Sequence, residues 1–380
     1  MGIRVIISGG GTGGHIYPAL SIAQALKSSV PDIEILFVGA KGKMEMEKVP
    51  AAGFQIKGLP VAGLKRSFSL SNLSLPFKLC KSLSEAGKII KEFRPDIVVG
   101  VGGYASAPVL WKASGMGIPC IIQEQNSYAG LTNKILGKRA EKICVAYENM
   151  ERFFPKEKIL MTGNPIRRGI KPATSAQRDQ ARRFFALKEE LPVVLVVGGS
   201  LGCGTLNRTM FALAEKAPQG YQVIWQSGKG YRDSVIRFFE SRNPGFNEGE
   251  MRTIGNIHNC DFISRMDLAF AAADIVVSRA GAGTISELCA AGKATIFVPS
   301  PVVAEDHQRH NAMALVNQDA AIMIEDDKAA QELIPAMERL VSDTSRIRMM
   351  EENILKLAKP DASDVIASVI TETLSLERNV

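Results

Sequence analysis

The first twenty residues constrain this chain more than any other stretch. A short apolar run, Ile3 to Ile7, passes directly into Ser8-Gly9-Gly10-Gly11-Thr12-Gly13-Gly14-His15 and then into a helical pattern from Pro18 to Leu26. A strand, a glycine loop and a helix start in that order leave backbone N–H groups without intrahelical partners, and the helix dipole favours negative charge above them. Glycine lets the backbone approach a phosphate closely. The run therefore reads as a diphosphate site with His15 on its lip. Gly9, Gly11 and Gly14 also fit the G-x-G-x-x-G of dinucleotide sites, which call for a carboxylate at the end of the second strand. Here the second strand, Ile33 to Val38, ends in Gly39-Ala40-Lys41-Gly42-Lys43, with no acid at its tip. A dinucleotide is the weaker reading.

At 380 residues the chain exceeds one ordinary core, and two domains are expected. Apolar β-rich runs alternate with helical patterns, which predicts a parallel α/β fold. Strands are expected near 3–7, 33–38, 54–57, 96–101, 119–123, 142–146 and 159–162, and again near 192–197, 221–226, 251–254, 274–278, 294–298 and 320–324. Each half opens with an apolar strand and a glycine loop, the second being Pro192 to Val197 followed by Gly198-Gly199-Ser200-Leu201-Gly202. Two more glycine loops follow strands, at 100–104 and 280–284. Ligands bind outside the C-terminal strand ends of parallel sheets, so two such edges facing across a hinge would make a cleft for two ligands. Gly163-Asn164-Pro165 supplies the hinge, giving domains 1–164 and 165–358. Residues 359–380 read as a helix started by Pro360, with Val365, Ile366, Val369, Ile370 and Leu374 on one face packing back on the first domain.

The net charge of +7 is uneven: residues 1–165 carry 21 Lys and Arg against 12 Asp and Glu, and the remainder 25 against 27. That asymmetry predicts an anionic partner for the first half. Nucleic acid is disfavoured, because the basic residues are not interleaved with aromatics. No apolar run reaches the ~18–20 residues of a membrane span, and the N-terminus reads as a strand rather than a signal segment, so export is not expected. Six dispersed cysteines without a C-x-x-C pair read as reduced core thiols of a cytosolic protein.

The second half carries Ser278-Arg279-Ala280-Gly281-Ala282-Gly283-Thr284-Ile285-Ser286-Glu287, then Val298-Pro299-Ser300-Pro301, then Glu305-Asp306-His307-Gln308-Arg309-His310-Asn311-Ala312. With the opening Gly-Gly-Thr-Gly-Gly-His, Gly-Gly-Tyr-Ala-Ser at 102–106 and Gln-Glu-Gln-Asn at 123–126, the chain resembles the MurG family from residue 5 to about 324. These are the UDP-N-acetylglucosamine transferases that complete the lipid-linked peptidoglycan precursor.

The resemblance implies a GT-B fold: two Rossmann-like parallel-sheet domains, lipid acceptor on the first and nucleotide-sugar donor on the second. It implies inverting transfer of GlcNAc to the C4 hydroxyl of a muramoyl sugar, with no cofactor and no metal. The sequence agrees in having no Asp-x-Asp at a strand end, so backbone N–H groups would receive the departing UDP. The donor contacts implied are Thr12, Gly13, Gly14, Asn126, Arg167, Ser200, Ile263, Ala282, Gly283, Thr284, Glu287 and Gln308. The acceptor falls to Gly11, His15, Gly102, Gly103, Tyr104 and Ser106. Several carry a second reading. Ser200 suits a helix N-cap, Thr284 and Glu287 are spaced as a capping box, and Arg167 suits a plain interdomain charge. Gln308 can both donate to and accept from sugar hydroxyls, and His307 and His310 flank it. His15 is the expected general base, since an imidazole titrates near neutrality; orienting the loop or binding acceptor phosphate is its other role. Glu124 is the second candidate base, or a carboxylate that buttresses its loop.

The sequence departs from the family pattern at Gln123, usually His, and at Leu201, Cys203 and Gly204, where many members have Gln, Ala and Arg. Residues 64–94 mix Leu64, Phe68, Leu70, Leu73, Leu75, Phe77 and Leu79 with Lys65, Arg66, Lys78, Lys81, Lys88 and Lys91. Such a mixture suits an anionic membrane surface, and equally a helix covering the sheet. The expected location is the cytoplasmic face of the inner membrane, peripherally, beside a cell-wall synthesis complex. A UDP-GlcNAc 2-epimerase on the same fold, which would lack the 102–106 loop and the basic-apolar face, and a non-catalytic nucleotide-binding module, which would keep Ser200 and Glu287 but need no His15, are the competing functions.

Overall fold

Val5, Ile6 and Ile7 have no exposure to solvent, which a strand achieves only inside a sheet covered on both faces. Val5 and Ile7 join one apolar cluster and Ile6 the other, one on each face. The computed structural model describes residues 2–61, 75–199, 201–242 and 249–378, and the chain divides into two units. Unit one runs to Arg167 and resumes at Lys359; unit two is Arg168–Ala358.

Unit one holds β1 (Arg4–Ser8), α1 (Gly13–Ser29), β2 (Glu34–Ala40), α2 (Glu45–Ala51), β3 (Gln55–Leu59), α3 (Leu75–Phe93), β4 (Ile97–Gly100), α4 (Ser106–Ser114), β5 (Cys120–Glu124), α5 (Leu131–Gly137), β6 (Lys142–Val145) and β7 (Ile159–Met161). Its sheet is parallel in the order β3-β2-β1-β4-β5-β6-β7, so the direction of winding reverses between β1 and β4.

Unit two repeats the plan: α6 (Ser175–Phe184), β8 (Val193–Val197), α7 (Gly204–Lys216), β9 (Gln222–Gln226), α8 (Arg232–Glu240), β10 (Arg252–Ile254), β11 (Ile257–Cys260), α9 (Met266–Ala272), β12 (Ile275–Ser278), α10 (Ala282–Ala291), β13 (Ala294–Phe297), α11 (His307–Val316), β14 (Ala321–Met323), α12 (Ala329–Val341) and α13 (Thr344–Lys356). The order is β10-β11-β9-β8-β12-β13-β14, with β10 the one antiparallel strand among the described residues. The sequence reading omits β11, whose centre, His258-Asn259, is polar. Both are buried, and Asn259 is satisfied inside the sheet: its Nδ2 donates to the Trp225 carbonyl at 3.1 Å and its Oδ1 accepts from Arg252 Nη1 at 3.1 Å. Burial pushes the thiols of Cys120, Cys144, Cys260 and Cys289 up to about 12, which keeps them protonated.

The last helix, α14 (Ala362–Arg378), belongs to unit one. Ile366, Ile370 and Leu374 are buried in the same cluster as Ile16, Leu20 and Ala23 of α1. It starts two residues after Pro360, and Val365 lies off the apolar face at 42% exposure. With one tryptophan in each unit, Trp111 and Trp225, fluorescence can follow unit one alone in a Trp225→Phe background. There, Ile370→Ala should cost about 2–5 kcal/mol through the cavity it leaves, read as an earlier denaturation midpoint. A midpoint within ~0.5 kcal/mol of the parent, the usual range for a surface change, would mean that α14 is not part of this core.

Candidate active site

The glycine loops meet in pairs at the points where each sheet reverses its order. In unit one Ser8 pairs with Gly100 and the Val101 N–H donates to the Ser8 carbonyl at 2.8 Å, so the loops after β1 and β4 leave the sheet side by side. Their contact depends on glycine. Gly103 has φ +79°, and a Cβ there would stand 2.3 Å from the Gly10 carbonyl oxygen; at Gly102, φ +88°, it would stand 3.0 Å from His15 Cε1. The imidazole of His15 thus lies against bare backbone.

His15 is half-buried in the first turn of α1, its Nδ1 3.1 Å from Gln125 Oε1. Burial pushes its pKa below the ordinary histidine value, outweighing the opposite pull of Glu124, Gln125, the Val101 carbonyl and Glu45. A neutral ring is therefore the resting form at neutral pH. Tyr104 stacks its ring edge close to Gly11, and burial, then Glu45, raises its phenol. Ser106 is buried and its hydroxyl donates to the Gly103 carbonyl at 2.9 Å, bracing the loop.

One residue that the sequence reading passes over changes the character of the first loop. Glu45 is buried; it accepts the Ala40 N–H at 2.9 Å and the Gly11 N–H at 3.2 Å on each oxygen. An internal carboxylate thus holds a donor that the diphosphate reading leaves open. Its position in an acidic, Lys-rich stretch gives no hint of this. The N–H groups of Thr12, Gly13 and Gly14 have no partner among the described residues, and no acid stands in the first turn of α1.

Glu124, at the end of β5, is buried and fully engaged. Its oxygens accept from Asn126 N at 3.0 Å, Asn126 Nδ2 at 3.3 Å, Gly130 N at 3.0 Å and Asn133 Nδ2 at 2.9 Å. That is the geometry of a carboxylate holding the β5–α5 loop. Arg167 is exposed at the end of unit one.

In unit two Val197 pairs with Ser278, and the loops after β8 and β12 emerge together. Ser200 lies outside the described residues; the N-cap of α7 is Cys203, whose Sγ accepts from Leu206 N at 3.5 Å. The N-cap of α10 is Gly281, which has no side chain to cap with, and no acid stands in the first turn. Thr284 lies inside the helix, so the capping box suggested by Thr284 and Glu287 does not form there. Ala282, Gly283 and Thr284 are partly exposed, their N–H groups have no partner among the described residues, and a Cβ on Gly283 would meet open space. Glu287 is buried one turn further on.

Ile263 is buried, and its N–H donates to Gln226 Oε1 at 2.9 Å; Gln226 Nε2 donates to the Gly199 carbonyl at 2.9 Å. Of the Ile263 backbone groups only the carbonyl has no partner among the described residues, and Gln226, absent from the sequence reading, ties the loops after β8 and β11 together. Gln308 Oε1 accepts from Ser300 N at 2.9 Å, which leaves its Nε2 as the end that can meet a sugar. Just before it, Glu305 and Asp306 both take left-handed backbone, φ +53° and +51°. Two such residues in succession cost roughly 1–3 kcal/mol each.

Residues 5–145 match the glycosyltransferase family 28 N-terminal domain and residues 193–366 the family 28 C-terminal domain. A Parabacteroides distasonis protein named UDP-N-acetylglucosamine--N-acetylmuramyl-(pentapeptide) pyrophosphoryl-undecaprenol N-acetylglucosamine transferase is 51% identical, over 98% of this chain and 98% of that relative. The chain belongs to this transferase family. A crystal structure of Acinetobacter baumannii MurG superposes with a TM-score of 0.77 at 26% identity, covering 97% of this chain and 99% of that one. A UDP-GlcNAc 2-epimerase from Neisseria meningitidis superposes at 0.63 and 14% identity, over 98% and 100%, a likeness of fold alone. The transferase family, not the epimerase, is what the sequence shares.

The family's His position is Gln123 here, and the structure gives it a partner set: Nε2 donates to Asn164 Oδ1 at 3.0 Å and Oε1 accepts from Gln125 Nε2. In residues 64–94, the stretch 64–74 and the side chains of Leu75, Phe77 and Lys78 lie outside what is described. Over the rest, Ala86, Ile89 and Ile90 are buried against the sheet, Leu79 is 53% exposed and Lys81, Lys88 and Lys91 face solvent. That part of α3 covers the sheet. Gly103→Ala should destabilise unit one by at least about 1–3 kcal/mol, measured by denaturation, because the loop must leave Gly10 to admit a methyl group. An unchanged midpoint would show that the two loops do not pack as described.

Proposed function

We propose that this chain moves GlcNAc from UDP-GlcNAc to the C4 hydroxyl of the muramoyl sugar of undecaprenyl-pyrophosphoryl-MurNAc-pentapeptide, the step of peptidoglycan synthesis from lipid I to lipid II, with inversion. The observation that carries the assignment of roles is the half-buried His15, seated on two glycines with its Nδ1 against Gln125 and beside donor-rich backbone. Its ring takes the C4 proton as that oxygen attacks the anomeric carbon. The bond between that carbon and the phosphate oxygen breaks, and UDP departs with the electron pair. In unit two the open first turn of α10 at Ala282, Gly283 and Thr284 receives the charge on the departing diphosphate, the role a divalent ion plays elsewhere. Glu287 takes the ribose hydroxyls, the Ile263 carbonyl the uracil, and Gln308 Nε2 a hexose hydroxyl, with Ser200 beside the phosphates. In unit one Thr12, Gly13, Gly14, Asn126 and Arg167 complete the donor contacts, and Gly11, Gly102, Gly103, Tyr104 and Ser106 line the acceptor side. Glu124 holds its loop and leaves proton transfer to His15.

Among the described residues no helix is long and apolar enough to cross a membrane. Peripheral attachment at the cytoplasmic face of the inner membrane is supported by Trp111, Leu131 and Ile135, exposed at 43%, 59% and 54%. Leu131, Ile135 and Arg139 recur every four residues from α5 onward, and Arg139 lies over the Trp111 ring at 3.7 Å. Lys112, Lys134 and Lys138 flank them. An apolar strip edged with cations suits an anionic bilayer surface.

The test is transfer of radiolabel from UDP-GlcNAc to a muramoyl-pyrophosphoryl lipid. His15→Ala should lower kcat by about 10²–10⁴-fold with little change in donor affinity. Because burial holds the imidazole below the ordinary value of ~6.5, kcat/KM should rise with pH with the midpoint of the rise below that value, and this acidic limb should vanish in His15→Ala. A variant that keeps the wild-type kcat and its acidic limb would remove His15 as the base. A loss confined to acceptor KM and recovered by His15→Lys would make it a phosphate ligand instead.

A further inference from the structure

A base must offer one specific ring nitrogen, and the surroundings of His15 decide which. Gln125 Nε2 lies 2.7 Å from the Val101 carbonyl and 3.3 Å from the Gln123 carbonyl, and also donates to Gln123 Oε1. A carbonyl oxygen can only accept, so the atom facing Val101 must be the amide nitrogen, and the amide orientation of Gln125 follows. Its Oε1 then faces His15 Nδ1 at 3.1 Å and can only accept from it. The same logic runs back along the buried amides: Gln123 Nε2 donates to Asn164 Oδ1 at 3.0 Å, and Asn164 Nδ2 donates to the Gln125 carbonyl at 2.9 Å. Reversing any one side chain would set donor against donor or acceptor against acceptor, so the set of three has one polarity.

We propose that Gln125 is a positioning residue that fixes the tautomer of His15: Nδ1 carries the hydrogen and Nε2 is the nitrogen open to a proton. Gln123, standing where relatives of the resembled pattern have His, anchors Gln125 from behind and passes the constraint to Asn164. This rests on the reading of His15 as the base only for its catalytic consequence; the tautomer itself is a property of the resting protein. Gln125 is buried, and it is neutral where a carboxylate would hold the imidazolium. A neutral acceptor fixes the tautomer and leaves the low pKa in place.

Four histidines make the imidazole region of a nitrogen-15 spectrum sparse enough to read, with His15 identified by its loss in His15→Gln. At neutral pH the wild type should show His15 protonated on Nδ1. Gln125→Met, similar in length without a hydrogen-bonding amide, should lower the Nδ1–H population and reduce kcat by on the order of 10²-fold, with donor KM little changed. An Nε2–H signal in the wild type would overturn the proposal. So would a Gln125→Met variant that loses activity with its tautomer unchanged. An Nδ1–H tautomer together with full activity of His15→Ala would keep the positioning role and refute the base.

Discussion

Backbone N–H groups that no internal partner can satisfy govern both units. A parallel sheet sends each strand into a helix that returns over its face, and the turn between them leaves the first amides of that helix unpaired. Where the order of strands reverses, two such turns open next to each other with nothing packed between them. Unit one reverses between β1 and β4 and unit two between β8 and β12. Every glycine loop singled out in the sequence lies at one of these four strand ends. A UDP-N-acetylglucosamine transferase binds one diphosphate on its donor and another on its lipid acceptor, and the fold supplies the amides before any side chain is chosen.

Side chains then decide which amides stay open. Glu45 takes the Gly11 N–H and Gln226 takes that of Ile263, while the first turn of α10 is left bare by a glycine N-cap and the absence of an acid. The three buried amides behind His15 serve a related end, setting the direction of one hydrogen without adding charge. Left-handed backbone at Glu305 and Asp306 places the start of α11, and with it Gln308, against the 298–300 turn.

Much of this was legible because it is periodic. Apolar runs gave every strand except β11, whose polar centre is satisfied by Trp225 and Arg252 from neighbouring strands, contacts that no local pattern carries. The tail helix was readable from its spacing, though Val365 turned outward. The glycine loops and their helices were readable because glycine at a strand end has few other uses. The occupancy of their amides was not. Glu45 reaches Gly11 across 34 positions and Gln125 reaches His15 across 110, and a carboxylate or amide in sequence does not announce what it will meet. The capping box at Thr284 failed for a related reason: T-x-x-E marks a helix start only when Thr is the N-cap, and here Gly281 takes that place.

Amide hydrogen exchange tests the central claim directly. With saturating UDP, exchange at Ala282, Gly283 and Thr284 should slow by roughly 10-fold or more, since each tenfold corresponds to about 1.4 kcal/mol of protection, while the Gly102–Tyr104 amides stay unchanged. Unchanged exchange in the first turn of α10 with UDP bound would contradict the account, because the diphosphate would then be held by something other than the open end of that helix.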